Sequence, residues 1–455
     1  MAATVENAAG GISAAAVEAR AAGAPAWLAE RRRAAWEAFT ALPMPDHMRD
    51  EDWRRTDVSK LDLDAFVVEP PAGATHGDAL VEAMRALRDE AAPDAAFLAT
   101  TRRGLRAIEG ADMLAAQGVI VSTLEEAAQQ HPELVRRAFA TVGAGETKFL
   151  ALWEAFWRGG VFVHVPANVE ARVPVWAAFS AAGEGSAVFP ATVAVLDANA
   201  SLTLVDSYAS PAGDASLLSS AATLLTLDDG ARLDYHVVQQ WGAGAWHFAT
   251  HRATLGRNAR LRVFGATLGS RLQKVYWDAL LDGTGSDAQL TCVCFGDETQ
   301  HLDLQSLQRH RGENTHSDLL HKVAVRDRAV SVYSGLIDVE KQAQHTDGYV
   351  QNRNLMLGGS AKASGIPRLE IKANDVRCSH GVTAGHIDDD QRFYLESRGV
   401  PLDEADRLIV RGFMQDALDR APHAGVRELV GRLLDAEIEG HSQAGVEAPG
   451  EDGAP

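Results

Sequence analysis

The tetrapeptide Asn199-Ala-Ser-Leu202 recurs further along the chain as Gly230-Ala-Arg-Leu233, Asn258-Ala-Arg-Leu261 and Asp287-Ala-Gln-Leu290. Two looser copies are Arg328-Ala-Val-Ser331 and Ser360-Ala-Lys-Ala363. The alanines of these six turns are 31, 28, 29, 41 and 32 residues apart. A repeat of about 30 residues is typical of a solenoid, in which each coil buries its apolar face against its neighbours. We therefore predict stacked strand–turn–strand coils that place Ala200, Ala231, Ala259 and Ala288 at equivalent corners.

One step of the repeat is longer than the others. The 41-residue step contains His301 to His316, so we predict an insertion in that coil. The alternative fold is a β-sandwich, which also has short strands joined by Gly and Asn turns. A sandwich does not require the same turn at a constant spacing, and the pattern therefore favours the solenoid.

The hydrophobic pattern changes from helical to alternating near residue 158. Before that point, helical spacing and a capping signal predict helices over 12–42, 78–91, 123–139 and 149–156. Alternation begins in Val161-Phe-Val-His-Val165, and short β runs continue to about residue 395. Helical spacing returns over 401–413 and 426–438. The predicted domains are a helical domain (1–157), a β core (158–397), a second helical domain (398–438) and a disordered acidic tail (439–455).

Composition limits the function classes open to this chain of 455 residues. Its net charge of −19 disfavours unaided binding to nucleic acid or to anionic membranes. Its three cysteines exclude a disulfide scaffold and a four-thiolate metal site built by this chain alone. No apolar run approaches the roughly 20 residues that span a bilayer, and the first residues do not resemble a signal peptide. We therefore expect a protein of the reducing cytoplasm.

The sequence also lacks the motifs of several common enzyme classes. It contains no GxxxxGK[ST] phosphate loop and no GxGxxG after a strand, and it contains neither HExxH nor GxSxG. Nucleotide-dependent, zinc-protease and serine-hydrolase activities therefore have no motif to support them, and we expect a non-catalytic protein.

A histidine-rich stretch is the first group of metal-ligating residue types. It comprises His301, His310, His316 and His321, with His345 later in the chain. Histidine is the commonest metal ligand. Since the chain contains 16 histidines, such a group is unsurprising, and we interpret it as a solvated loop or coil face.

Cysteine and histidine occur together in Asp375-Val-Arg-Cys-Ser-His-Gly381. Cys378 and His380 are two residues apart and would share one face of a strand. A thiolate beside an imidazole suits iron, zinc or sulfur chemistry, although a lone strand cysteine is more often a small buried hydrophobe. Cys292-Val-Cys294 is a second same-face pair, whose apolar neighbours predict two packed core thiols.

Several of these segments resemble the SufB/SufD family of iron–sulfur cluster assembly scaffold proteins. The resemblance is densest in four C-terminal segments: Val332–Ile337, His345–Gly348, Leu369–Thr383 and Ile387–Gly399. Two earlier segments, Glu51-Asp-Trp-Arg-Arg-Thr56 and Phe156–Pro166, resemble the family's N-terminal Trp motif and its first β-helix strand. SufB-like chains carry a cysteine where Leu395 stands here, and histidine with an acid in the segment matching 378–381. Both departures favour the SufD branch of the family.

The resemblance implies an architecture and two partners. The fold would be mainly β, with a right-handed parallel β-helix flanked by N-terminal and C-terminal α-helical domains. The chain would be a non-catalytic scaffold subunit that forms a heterodimer with SufB through the β-helix. The ATPase SufC would dock on the C-terminal helices, where Leu408, Ile409 and Phe413 are the predicted contact residues.

The resemblance also implies a place for the iron–sulfur chemistry. His380, with Cys378 beside it, would face the nascent cluster at the SufB interface and is the candidate metal ligand. Any cluster or iron would be held transiently and shared with SufB, so that no cofactor is held permanently. Asp375 is a candidate partner for the second ring nitrogen of His380, although strand geometry places it on the opposite face unless a bulge intervenes.

Two other function classes compete with the scaffold. A β-helix carbohydrate-active enzyme, such as a polysaccharide lyase, would need clustered carboxylates and basic residues on one coil face, and usually export. A stand-alone metal-binding or adhesin-like solenoid would purify without an ATPase partner. A screen for glycan cleavage tests the first alternative, and co-purification of an ATPase partner separates the scaffold from the second.

Overall fold

The core of the molecule is a β-solenoid of about eight turns, with helices at both ends. The structure is a computed structural model that describes residues 10–68, 77–143 and 145–440. Two ten-stranded sheets run through the molecule and include the solenoid strands, and from Ala191 onward successive strands alternate between the two sheets. Pairing between neighbouring coils is parallel and in register, as in Leu233 opposite Leu202 and Leu261 opposite Leu233. The predicted solenoid is therefore confirmed, and the β-sandwich alternative was wrong.

The elements fall into three groups along the chain. Before the solenoid, the described residues form seven α-helices: α1 (Ala14–Ala21), α2 (Ala26–Ala41), α3 (Gly77–Ala91), α4 (Ala111–Ala115), α5 (Leu124–Gln130), α6 (Pro132–Phe139) and α7 (Lys148–Phe156). Among them are β1 (Ala96–Thr101), β2 (Gly104–Glu109) and β3 (Ile120–Thr123). After the solenoid come α8 (Asp389–Ser397), α9 (Leu402–Leu418) and α10 (Ala424–Glu439).

The solenoid itself contains seventeen strands. They are β4 (Val161–Val165), β5 (Val175–Ser180), β6 (Ser186–Val188), β7 (Ala191–Leu196), β8 (Ser201–Ala209), β9 (Leu217–Leu227), β10 (Arg232–Gln240), β11 (Ala245–Leu255), β12 (Arg260–Thr267), β13 (Leu272–Leu281), β14 (Asp287–Gly296), β15 (His301–His310), β16 (His316–Val325), β17 (Val330–Val339), β18 (Asp347–Met356), β19 (Lys362–Ile371) and β20 (Arg377–His386).

One corner of the solenoid is a ladder of small buried residues. Its rungs are Ala200, Ala231, Ala259, Ser286, Thr315 and Thr346. Each rung accepts a backbone hydrogen bond from the next coil, as Ala259 does from the N–H of Asp287 at 2.9 Å. Each also follows a residue with positive φ, which Asn and Gly tolerate best: Asn199, Gly230, Asn258, Gly285, Asn314 and His345. The predicted corner is therefore correct for the first three alanines.

The prediction was wrong for Ala288 and for the long coil. Ala288 lies two residues beyond the corner, opposite Leu261 inside β14. Ala329 belongs to the opposite corner, where it accepts a backbone hydrogen bond from Lys362 at 3.0 Å. The 41-residue step therefore joined a strand residue near one corner, Ala288, to a residue at the opposite corner, Ala329. The segment His301 to His316 is strand β15 and a short turn into β16, not an insertion.

Three apolar layers hold the solenoid and helices together. The first fills the interior between the two sheets, with Tyr235, Trp241 and Trp277 among its largest members. The second lies outside the sheet that contains β9 and β11, where α2, α5, α6 and α7 cover it. The third lies outside the other sheet, where α3, α9 and α10 cover it. The strands are therefore apolar on both faces, so apolar and polar residues do not alternate regularly along their sequences.

The N-terminal Trp motif docks on this second layer. The side chain of Trp53 is buried against Phe149 and Phe248. Beside it, the fully buried ammonium of Lys274 donates to Asp303 Oδ2 at 2.5 Å and to the carbonyl of Asp52 at 2.7 Å. A buried ion pair costs desolvation unless its remaining polar atoms are bonded, and these contacts bond them. The motif thus joins the N-terminal region to strands β13 and β15.

The helix predictions were close, with three differences. The predicted helix over 12–42 is divided by the turn at Ala22–Pro25 into α1 and α2. Strands β1, β2 and β3 lie in the region predicted to be helical, because segments of four to six residues are too short for the pattern to distinguish. Residues 389–397, predicted in the β core, form α8, whose first turn is capped by Asp388. The predicted disordered tail falls almost wholly on 441–455, outside the described residues.

Candidate functional site

The two ends of the solenoid differ in how they are covered. At the N-terminal end, β1 and β4 each pair with an antiparallel strand, β2 and β3 respectively. At the C-terminal end, β19 pairs with β17 and β20 pairs with β18, and no described strand pairs with their outer edges. Each of these edge strands is ten residues long. An uncovered edge of this length is a template for pairing with another chain.

Cys378 and His380 lie on this open edge, in β20. They stand opposite Gly348 and Val350 of β18. Val350 is buried in the solenoid interior, and Cys378 Sγ lies 3.4 Å from the position that a Cβ would take on Gly348. The pair therefore shares the inward face, as predicted, but at the last coil. Cys378 is half-buried and His380 is exposed, since no further coil covers them.

The environment of Cys378 favours its neutral thiol. Burial raises the pKa of this thiol, although a backbone hydrogen bond involving Gly348 opposes the effect. The nearby carboxylate of Asp347 raises the pKa further. Because a thiol must lose its proton to bind iron, Cys378 is a ligand only where a metal ion or a partner's positive charge stabilises the thiolate.

Asp375 does not serve as the predicted partner of His380. Its carboxylate lies 3.1 Å from Nδ1 of His345. The backbone N–H of His345 also donates to the carbonyl of Asp375 at 2.6 Å, which joins the two turns. Strand geometry already disfavoured a contact between Asp375 and His380. Asp375 instead pairs with a histidine of the preceding coil, because residues from successive coils meet at the corners of a solenoid.

The histidine-rich stretch is only in part the predicted solvated face, since His345 is exposed and His316 is partly exposed, whereas His310 and His321 are buried. His310 is fully buried, with its ring nitrogens 2.8 Å from Thr315 Oγ1 and 2.9 Å from Ser317 Oγ. His321 is buried too, and its Nε2 lies 3.5 Å from Cys294 Sγ. Burial lowers the pKa of His310 to about 4 and that of His321 to about 3. These histidines are therefore neutral core groups at physiological pH.

The interior thiols agree with the prediction of packed core residues. Cys292 and Cys294 are both buried on the inward face of β14. Burial raises the pKa of Cys292 well above its usual value and that of Cys294 to about 12. Within the described ranges, no three His, Cys, Asp or Glu side chains are grouped so that they could hold a metal ion.

The C-terminal helices present a second exposed surface. Helix α9 packs on the solenoid through Val410 and Met414, whereas Leu408 is 44% exposed. Ile409 and Phe413 are partly buried against the same apolar layer. The Phe413 ring lies under the ammonium of Lys322, 4.6 Å from its centroid. Of the three predicted docking residues, Leu408 is thus the one most available to a partner.

Helix α8 adds aromatic residues that the sequence prediction missed. None of its residues is buried, and Phe393 and Tyr394 are 72% and 58% exposed. Leu402, at the start of α9, is 50% exposed. The sequence does carry a signal for this helix, because the acidic run Asp388-Asp-Asp390 is typical of a helix start and the aromatic pair follows it shortly. The sequence prediction had placed this segment in the β core. We call Phe393, Tyr394, Leu402 and Leu408 the α8–α9 patch.

No helix in the described part of the chain is both long and apolar enough to cross a membrane.

Two models of known protein families match this chain. The family model described as the SUF system FeS cluster assembly SufBD core domain matches residues 179–413, more than half of the chain. A second model, the SufBD protein N-terminal region, matches residues 107–176. The iron–sulfur cluster assembly protein SufD of Bacillus subtilis is 27% identical over 425 residues, covering 91% of this chain and 94% of that protein.

Staphylococcal proteins are similar to the same extent. A SufBD family protein of Staphylococcus saprophyticus is 27% identical over 431 residues, covering 91% of this chain and 90% of its own. Another, from Staphylococcus aureus, is 26% identical with the same coverage. The matches therefore span both the solenoid and the helical regions that flank it.

Proposed function

This chain belongs to the SufBD family of iron–sulfur cluster assembly proteins, and from that premise we propose that it is the SufD-type scaffold subunit of a SUF complex. In this role it pairs with SufB, docks the ATPase SufC and performs no catalysis itself. The iron–sulfur cluster is the cargo of the complex, held transiently between subunits. The lyase alternative has no support from the family.

The observation that carries the proposal is the position of Cys378 and His380 on an uncovered edge strand. Two side chains cannot complete the coordination of a cluster, which takes about four protein ligands. A second solenoid that pairs with β19 or β20 would bring its own side chains to the inward face of this last coil. The site would then be divided between the two chains, with His380 as the metal ligand and Cys378 beside it.

A site divided between subunits has a chemical advantage. Ligands on both sides enclose the cluster while the chains are together, and separation of the chains removes half of them. Because the cluster would then be under-coordinated, it could pass to an acceptor. Opening and closing the interface therefore supplies a means of building and releasing the cargo.

The α8–α9 patch is the proposed docking surface for SufC. Its exposed aromatic and aliphatic side chains are of the kind that form the centre of protein interfaces. Helix α9 contacts β14 and β16, and α10 contacts α3. Movement of a bound SufC pair during its ATP cycle would therefore reach the solenoid through packed helices. This chain would transmit the motion, and SufC would power it.

We place the complex in the cytoplasm. All three cysteines are free thiols, which suits a reducing compartment. Fractionation of cells followed by immunoblotting of this chain tests the location.

Co-expression of the tagged chain with SufB and SufC tests the proposal. We expect one complex by size-exclusion chromatography with light scattering, which contains iron and acid-labile sulfide after reconstitution. Leu408→Asp should reduce SufC in the complex at least tenfold while SufB remains. Ile108→Asp is the matched control, since Ile108 is 41% exposed on β2. Failure of the wild-type chain to associate with either partner would refute the proposal.

A further inference from the structure

The last coil of the solenoid carries positive charge in a chain that is acidic overall. Residues 362–386 form β19, the turn after it and β20. They contain four Lys or Arg side chains and two Asp or Glu side chains, whereas the whole chain has a net charge of −19. Both strands are edge strands that have no outer neighbour among the described residues. The positive charge therefore lies on the surface at which we place the second solenoid.

Two of these cations begin the two edge strands. Lys362 is the first residue of β19 and Arg377 is the first residue of β20, and both are exposed. Neither forms an ion pair with a residue that the structure describes. The other two cations do, since carboxylate oxygens lie 3.3 Å from Nζ of Lys372 and 3.8 Å from Nη2 of Arg368. Glu370 is exposed and also unpaired, so positive charge predominates on this edge.

Inside the solenoid, charged side chains of neighbouring coils pair with the residue directly opposite. Four ion pairs of 2.5–2.8 Å join in-register residues of parallel strands: Asp234–Arg262, Arg252–Asp278, Lys274–Asp303 and Arg309–Asp338. Opposite charges at facing positions stabilise strand pairing, and like charges destabilise it. The stacking of coils in this molecule therefore uses charge complementarity between facing residues.

Arg377 is the outermost member of a column of such facing residues. It lies opposite Asp347 of β18, which lies opposite His316 of β16. His316 in turn faces Asp287 of β14, with its Nδ1 3.2 Å from the carboxylate. Acidic and basic residue types therefore alternate along the column toward the open end. A carboxylate on an added strand would continue this alternation beyond Arg377.

The backbone of β20 can accept a strand along its whole length. The N–H of Arg377 donates inward, to the carbonyl of Thr346 at 2.8 Å. Because the direction of the N–H groups alternates along a strand, those of Cys378 and of every second residue after it point to the open side. Strand β19 contains Pro367, which has no N–H to donate. Strand β20 is therefore the better template, and Arg377 is the charge at its start.

We propose that Arg377 and Lys362 select the partner by charge, an inference that rests on the proposed pairing with SufB. The strand that adds to β20 carries a carboxylate facing Arg377, and the partner's end coil is acidic where it meets Lys362. Charges of this kind act mainly on the rate of association and on the rejection of wrong partners. Charged side chains on edge strands also limit aggregation. Protection from aggregation needs charge of either sign, whereas partner selection needs positive charge, so charge reversal separates the two roles.

Surface plasmon resonance of SufB binding to the full chain, immobilised through an N-terminal tag, tests the proposal. At about 0.05 M NaCl, the double variant Lys362→Glu with Arg377→Glu should bind SufB about tenfold more weakly than the wild type, chiefly through slower association. At about 0.5 M NaCl the difference should shrink to about twofold, because salt screens exposed charges. Arg377→Lys keeps the charge and should bind within about twofold of the wild type at both salt concentrations.

Arg232→Glu is the matched control, because Arg232 is an exposed arginine at the same strand position of an inner coil. It should leave the affinity for SufB unchanged. Changing the edge-strand carboxylates of SufB to lysine one at a time should restore binding of the double variant at one position, which identifies the residue that faces Arg377.

The outcomes distinguish this proposal from the proposed function. Wild-type affinity of the double variant, or a loss of affinity that salt does not reduce, would overturn selection by charge and leave the pairing with SufB intact. Failure of the wild-type chain to bind SufB would refute the proposed function, and selection by charge with it.

Discussion

His345 Nδ1 lies 3.1 Å from a carboxylate oxygen of Asp375, and so the turn of one coil holds the acid that precedes the Cys378–His380 pair of the next. Asp375 therefore does not orient His380. Since His380 is exposed at the end of the solenoid, we expect its imidazole to be fixed only when a partner covers this coil. His345 and Asp375 therefore stabilise the end coil, whereas we expect Cys378 and His380 to contact a second chain.

Replacing His380 by alanine should leave the fold intact and impair cluster assembly. The side chain is exposed, so removing it should change the melting temperature of the free chain by no more than about 1 °C. Iron and acid-labile sulfide per complex with SufB and SufC should fall at least fivefold. Ser379→Ala, the neighbouring exposed residue of the same strand, is the matched control. Normal cluster assembly by His380→Ala would eliminate His380 as a ligand.

Sequence reasoning located this pair because its signal is local. Spacing by two placed Cys378 and His380 on one face, and the corner alanines showed that the chain forms coils. Neither pattern could show that β20 belongs to the last coil and that no strand covers it. That outcome depends on the positions of β19 and α8 in the folded chain. The exposed Phe393 and Tyr394 were missed because α8 follows the last strand after only two residues.

The predictions that were wrong concern features that depend on contacts between coils, not on residues close in sequence. The rung after Ala259 is Ser286. The similar tetrapeptide that begins at Asp287 led to the prediction of Ala288 at this corner instead. His321 finds Cys294 and Asn352 at separations of 27 and 31 residues. One full coil separates such partners, so their burial cannot be inferred from neighbours in the sequence.

Asp206 should make the stability of the chain depend on pH. Its carboxylate is fully buried in the solenoid interior, where burial raises its pKa from 3.8 to about 6 despite hydroxyl donors including Thr192, Thr223 and Tyr235. The folded chain therefore holds this proton more tightly than the unfolded chain does. Stability from this group is greatest below about pH 4 and falls as pH rises to about 6, by roughly 3 kcal/mol in all.

The isosteric variant Asp206→Asn isolates that contribution. The melting temperature of the variant minus that of the wild type should increase as pH rises from 5.0 to 7.5, because the variant has no carboxylate to ionise at this position. Asp214→Asn, at an exposed aspartate, serves as the control. A constant difference between Asp206→Asn and wild type across this range would show that Asp206 does not titrate there.

The corner ladder should tolerate only small side chains. Ala231 is fully buried, follows Gly230 at φ 73°, and lies between Ala200 and Ala259 of the adjacent coils. Ala231→Leu adds three carbons where coils stack, and overpacking of this kind costs about 1–3 kcal/mol. We expect a melting temperature lower by about 2 °C or more. The same substitution at exposed Ala15 of α1 should be nearly neutral, and equal effects at both positions would argue against a packed corner.

Hydrogen–deuterium exchange of residues 377–386 tests most directly whether the open end of the solenoid is the SufB interface. In the free chain, amides on the outer edge of β20 should exchange rapidly, because no described strand accepts from them. Strand β10, paired on both sides, is the internal reference and should exchange slowly throughout. On complex formation with SufB we predict at least tenfold slower exchange in 377–386 and no change in β10. A stable complex in which both 377–386 and the other edge strand, 362–371, exchange as fast as in the free chain would contradict the proposed interface.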